Sequence, residues 1–214
     1  MKYPTYQYLY PPRPETAVAP NTLKLYEDRG WVAQAKMNGT CCTIYVPSIT
    51  EGPSFAMGRH GPDNELQWQP GNRWQEFQQH LPGKGWYVFV GELLHSKGVG
   101  VRDTIYLHDL LVDDGEYLIG KTYADRYECL SRLCAGGLNM YEDTHTIVFP
   151  GVWLAANHDG FFQDWYNEIN GMSGNTAIEG LVFKNPTAKL RPCTARGNAN
   201  GQYKCRRTTR NLSF

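Results

Sequence analysis

The sequence has no C-x-x-C pair, no histidine pair at zinc-ligand spacing, no long apolar run and no internal repeat. The first two absences exclude a structural zinc site of the usual spacings, although Cys41, Cys42, Cys129, Cys134, Cys193 and Cys205 are present. With no apolar run of spanning length and no signal-peptide pattern, the protein is expected to be cytosolic, with reduced thiols and no membrane partner. Acidic residues are missing from one end. After Glu179 there is no Asp or Glu, while Lys184, Lys189, Arg191, Arg196, Lys204, Arg206, Arg207 and Arg210 follow. The chain as a whole is formally neutral, so the charge is segregated, and a basic end on a neutral protein points to a phosphate or polyanion partner.

What is present reads as one α+β domain, residues 1–214, built on antiparallel sheets with flanking helices. Residues 1–20 are rich in Tyr and Pro, which excludes a helix and predicts an extended strap over the core. Trp31 to Lys36 alternates apolar and polar residues, Asn38-Gly39 follows, and Cys41 to Val46 is a second strand. That pattern predicts a hairpin with Lys36 at its lip, where the amine can reach a cleft. Strands are predicted over 86–94, 104–112, 146–149, 152–155, 178–184 and 202–207, with Asp113-Asp114-Gly115 turning one of them. Helices are predicted near 72–80 under an Asn72 cap, from Thr122 to the Gly136-Gly137 stop, and after Asp159 as cap.

Several of these strands carry charge in the wrong place for a structural role. Glu92, Glu179 and Lys184 interrupt otherwise apolar runs, where a charge is costly unless it is paired or used. A single K-x-x-G carries no weight. The ordered set is different: Lys36-Met37-Asn38-Gly39, Gly58-Arg59-His60-Gly61, Gly91-Glu92-Leu93, Tyr106-Leu107-His108-Asp109, Glu179-Gly180-Leu181-Val182-Phe183-Lys184 and Lys204-Cys205-Arg206. This series resembles, motif by motif and in order, the covalent nucleotidyltransferase superfamily of ATP-dependent DNA and RNA ligases, with mRNA capping enzymes as cousins.

The resemblance implies an adenylation domain, ATP-grasp-like and without an OB-fold domain, that needs an accessory protein or works as a minimal core. It implies that Lys36 attacks the α-phosphorus of ATP, with Lys184, Lys204 and Arg206 lowering its proton affinity and neutralising the phosphates. Mg²⁺ (or Mn²⁺) would sit near Glu179. Glu92 would bind the ribose hydroxyls, Gln34 would read the adenine edge, Arg59 would bind a phosphate, and Asn38 and Gly39 would complete the nucleotide pocket. His108 stands where the family has a purine-stacking aromatic, so Tyr106 is expected to share that work. The lysyl-AMP would pass AMP to a 5′-phosphate, and a 3′-hydroxyl would then close the phosphodiester on DNA or RNA. A GTP-dependent capping guanylyltransferase and a non-catalytic nucleic-acid-binding relic are the alternatives. Arg206 departs from the family's K-x-K, and Asn38 and Cys41 depart from the DNA-ligase pattern, which leans the chain toward the RNA-ligase side or a branch of its own.

Overall fold

In the computed structural model, the described residues are 6–48, 54–58, 66, 72–94, 101–172, 177–194 and 197–208. In chain order the elements are β1 (Thr16–Ala17), α1 (Leu23–Glu27), β2 (Val32–Met37), β3 (Thr40–Val46), β4 (Phe55–Gly58), α2 (Asn72–His80), β5 (Tyr87–Leu94), β6 (Thr104–Asp113), β7 (Glu116–Tyr117), α3 (Tyr123–Cys134), β8 (Met140–Tyr141), β9 (His145–Phe149), β10 (Val152–Ala155), α4 (Phe162–Gly171), β11 (Ile178–Lys184) and β12 (Gln202–Arg206). They form a four-stranded sheet, β1-β12-β11-β2, and an eight-stranded sheet, β4-β3-β5-β6-β10-β9-β8 with β7 on β6. Pairing is antiparallel except between β1 and β12 and between β6 and β10.

Alternation along the strands sorts the side chains. Ala33, Ala35 and Met37 of β2 and Leu181 and Phe183 of β11 enter one apolar cluster with α1, α4 and Leu94, Tyr106 and Ala155 of the larger sheet. A second cluster lies on the larger sheet, beneath α2 and α3, and Tyr6 and Leu9 of the N-terminal segment belong to it. That segment then reaches the smaller sheet, where Thr16–Ala17 pairs with β12, so it touches both sheets.

The Asn-Gly hairpin expected at residues 38–39 does not form. β2 pairs with β11 and β3 pairs with β5, so the chain changes sheets there. A two-residue I′ turn needs positive φ at both central residues, and neither Asn38 nor Gly39 has it. Gly39 is required for another reason: a Cβ would lie 2.5 Å from Leu93 O and 2.8 Å from Glu92 Cγ. The turn signal held at Asp114 and Gly115, with φ of 47° and 87°, which joins β6 to β7.

The helix ends divide the same way. Thr122 caps α3 in a full capping box with Asp125. Asp159 does not cap α4, which starts at Phe162 behind Phe161 at φ 56°. The first amide is satisfied from a distant element instead, because Phe162 N donates to Glu27 Oε2 at 3.0 Å. All six cysteines are free. Among the described residues no helix is long and apolar enough to cross a membrane.

Candidate active site between the two sheets

The register of the smaller sheet arranges the charged residues as a grid. Gly180 faces Lys36 on one side and Arg206 on the other; Val182 faces Gln34 and Lys204; Lys184 faces Val32 and Gln202. Because alternation sends Leu181, Phe183 and Cys205 to the apolar cluster, Gln34, Lys36, Lys184, Lys204 and Arg206 share the opposite face.

Glu179 joins them through a backbone irregularity. The register between β11 and β2 slips between Ile178 and Gly180, so Glu179 is an extra residue on its strand. Such a bulge re-aims a side chain. Its carboxylate takes the ammonium of Lys36 on Oε1 and lies 3.7 Å from Arg206 Nε on Oε2. Gly180 makes this possible: its φ is +142°, and a Cβ there would lie 2.0 Å from Cys205 O.

The larger sheet supplies the facing wall, also through a bulge. Gly91 pairs with Leu107 and Val90 with Asp109, which leaves His108 as the extra residue of β6. Lys184 Nζ donates to His108 O at 2.7 Å and lies 3.4 Å from its Nδ1. Burial, then the Lys184 charge, hold the His108 imidazole neutral, with its pKa down at about 3. Glu92 on β5 accepts from Gly39 N at 3.1 Å, which ties the sheet-crossing turn to the wall.

The cations differ in their surroundings. Lys184 is 1% exposed and lies 4.6 Å from the centre of the Tyr123 ring. Burial, opposed by the Asp109 charge and reinforced by Arg126, brings its pKa to about 7, so it is partly neutral near neutral pH. Lys204 donates to Pro14 O at 3.2 Å; burial first, then Arg206 and Lys36, lower its pKa. Beneath Lys184, Arg126 makes a two-point pair with Asp109, Nε to Oδ1 at 2.8 Å and Nη2 to Oδ2 at 2.9 Å. Asp109 is fully buried, and the Arg126 charge keeps its carboxyl below the usual range although burial pushes it up.

Of the residues singled out from sequence, Gln34, Lys36, Glu179, Lys184, Lys204 and Arg206 therefore meet on one face, with Glu92 and His108 opposite. Asn38 continues the β2 edge, its N donating to Ala177 O at 2.8 Å. Tyr106 is 2% exposed, packed in the apolar cluster with its hydroxyl donating to Thr144 O at 3.2 Å, so its ring is a core element here. Arg59, with His60 and Gly61, lies outside the described residues. Sequence reasoning missed Tyr123, Arg126 and Asn157. Gln34 Nε2 donates to the Tyr123 hydroxyl at 3.0 Å, which donates to Asn157 Oδ1 at 3.0 Å. Among the described residues no group of three His, Cys, Asp or Glu side chains converges as a metal cage.

No family model and no curated protein matches the chain by sequence. Its fold is that of the nucleotidyltransferase domains of ATP-dependent ligases. A mycobacterial DNA ligase D complexed with ATP and MES superposes with a TM-score of 0.56 at 18% identity, over 82% of this chain and 54% of that one. The ATP-dependent DNA ligase of bacteriophage T7, complexed with ATP, gives 0.52 at 14% identity, over 89% of this chain and 67% of that one. The chain thus spans about half the length of the mycobacterial ligase chain it matches.

Proposed function

We propose that this chain is the nucleotidyltransferase domain of an ATP-dependent nucleic-acid ligase that joins 3′-hydroxyl and 5′-phosphate ends through a lysyl-AMP on Lys36. One observation carries the reading. Four basic side chains share one sheet face, Lys36 and Arg206 flanking Gly180, Lys204 opposite Val182 and Lys184 two residues further along β11, with Glu179 among them and no second acid on that face of β2, β11 or β12. Basic groups gathered on one face repel one another unless an anion spends time there. A triphosphate and a strand end are the anions whose chemistry a lysine nucleophile serves.

On this reading the residues take the following roles. Lys36 is an ion-pair donor to Glu179 in this structure, and its proton must leave before the amine can bond to phosphorus. Lys184, Lys204 and Arg206 stabilise the charge that develops as pyrophosphate departs. Glu92, beside the backbone of Gly39, would accept from ribose hydroxyls. His108, neutral and beside Lys184, would contact the base in place of a phenyl or phenol ring. Glu179 would hold Mg²⁺ or Mn²⁺ as a single carboxylate, which suits an ion that keeps several waters and draws other ligands from phosphate. Such an ion would neutralise phosphate charge. The basic stretch that follows Lys184 would grip the strand backbone through a salt-sensitive, sequence-independent contact.

The test is end joining. Nicked duplexes with each DNA and RNA combination at the two ends, ATP and Mg²⁺ are incubated with the protein, and sealed strands are separated by size. Sealing that needs both the 5′-phosphate and ATP supports the reading. A protein that takes up AMP yet seals no duplex and no single-stranded end contradicts the ligase part of it.

A further inference from the structure

We infer that Tyr123 and Asn157 decide which base the site accepts, by fixing the Gln34 amide with its carbonyl oxygen toward the nucleotide. The inference rests on the nucleotide-binding reading above. A phenol hydroxyl has one hydrogen to give. That of Tyr123 goes to Asn157 Oδ1, so the same oxygen accepts from Gln34 Nε2, both at 3.0 Å. Every donor in the chain from Gln34 through Tyr123 to Asn157 points the same way. Turning the Gln34 amide over would set its oxygen against a hydroxyl oxygen whose hydrogen is already committed. At 2% exposure, Gln34 has little water to repair such a mismatch, and a buried unpaired polar group is costly.

The consequence is an acceptor, held in place, on the side of Gln34 away from Tyr123, where the nucleotide-binding reading puts the base. Adenine carries an amino donor at its six position and guanine a carbonyl acceptor. The arrangement therefore welcomes the first and opposes the second. Tyr123 is itself held firmly. It is the first residue of α3, directly after the capping-box residue Thr122, and its ring lies under Lys184 at 4.6 Å and Arg126 at 5.8 Å. Its ring serves the phosphate side and its hydroxyl the base side, so the two can be separated: Tyr123→Phe deletes the relay and keeps the ring beneath Lys184.

The experiment incubates wild type, Tyr123→Phe and Asn157→Asp with equimolar ATP and GTP. It reads the ratio of AMP to GMP attached to the protein by intact mass. Tyr123→Phe is expected to lower that ratio about tenfold or more. Asn157→Asp, whose carboxylate accepts the same hydroxyl, is expected to stay within about twofold of wild type. A Tyr123→Phe protein with the wild-type ratio overturns the inference alone, as does one whose total label falls at a constant ratio, since that is a structural effect. An Asn157→Asp protein that loses selectivity contradicts the direction of the relay. Wild type that takes up neither nucleotide overturns the nucleotidyl-transfer reading, and the inference with it.

Discussion

Gly180→Ala tests whether the bulge in β11 builds the site. The substitution puts a methyl group where φ is +142°, and its carbon would sit 2.0 Å from Cys205 O and 2.9 Å from the Arg206 Cα. The backbone conformation alone costs an L-residue about 1–3 kcal/mol. The contact must also open by about 1 Å to reach the 3.0 Å below which real Cβ atoms essentially never come. Over-packing of this kind adds about 1–3 kcal/mol. Together, a loss of about 2–6 kcal/mol is expected in urea unfolding followed by fluorescence. The only ways to relieve the strain are to push β12 away or to iron out the bulge. The first moves Lys204 and Arg206, and the second turns Glu179 away from Lys36. Displacements near 1 Å at reacting groups can cost about 100-fold in rate, so nucleotide attachment measured well below the unfolding midpoint should fall by about that factor. Gly160→Ala is the control, since a Cβ there meets nothing within 4 Å, and a change within about 0.5 kcal/mol is expected. If Gly180→Ala is as stable and as readily labelled as Gly160→Ala, the bulge does not shape the site.

Three further outcomes are expected. Lys204→Ala should slow nucleotide attachment far more than Lys121→Ala, and equal effects in a labelling time course would count against a shared phosphate-binding face. Asp109→Asn leaves Arg126 buried without its charge partner and should cost about 3–5 kcal/mol, read in the same unfolding assay; a loss under about 1 kcal/mol would show that the pair carries little. Lys184 has a folded pKa of about 7, below the unfolded 10.5. The unfolded chain therefore binds more protons between those values, and stability gains from this residue as pH rises through that window. Lys184→Met should flatten that rise and leave the protein more stable at pH 7, and an unchanged slope would contradict the burial argument.

The strands and the charged motifs were legible in sequence because they rest on local pattern. Alternation through β2 and β11 puts apolar residues on one face, and the same count of two brings Gln34, Lys36, Lys184, Lys204 and Arg206 to the other. Glu179 and His108 broke that count. Each is a bulge residue, and a bulge in the middle of an apolar strand shows in sequence only as a misplaced polar residue beside, at most, a glycine. The Asn38-Gly39 signal misled because glycine serves two needs: positive φ in a turn, and absence of a side chain where backbones approach. Here Leu93 O supplies the second. The cap of α4 was misassigned to Asp159 because the acceptor, Glu27 Oε2, is 135 residues away. The contact of Gln34 with Tyr123 spans 89 residues and was invisible for the same reason, with Tyr123 reading as one more apolar position on α3.

One measurement bears most directly on the central claim that the Lys36 amine bonds to phosphorus. Wild type and Lys36→Ala are each incubated with ATP and Mg²⁺, denatured, weighed intact and then digested for fragment sequencing. Wild type should gain the mass of one AMP, located on Lys36, and Lys36→Ala should gain none. AMP attached to any other side chain, or equal uptake by the substituted protein, would contradict the account.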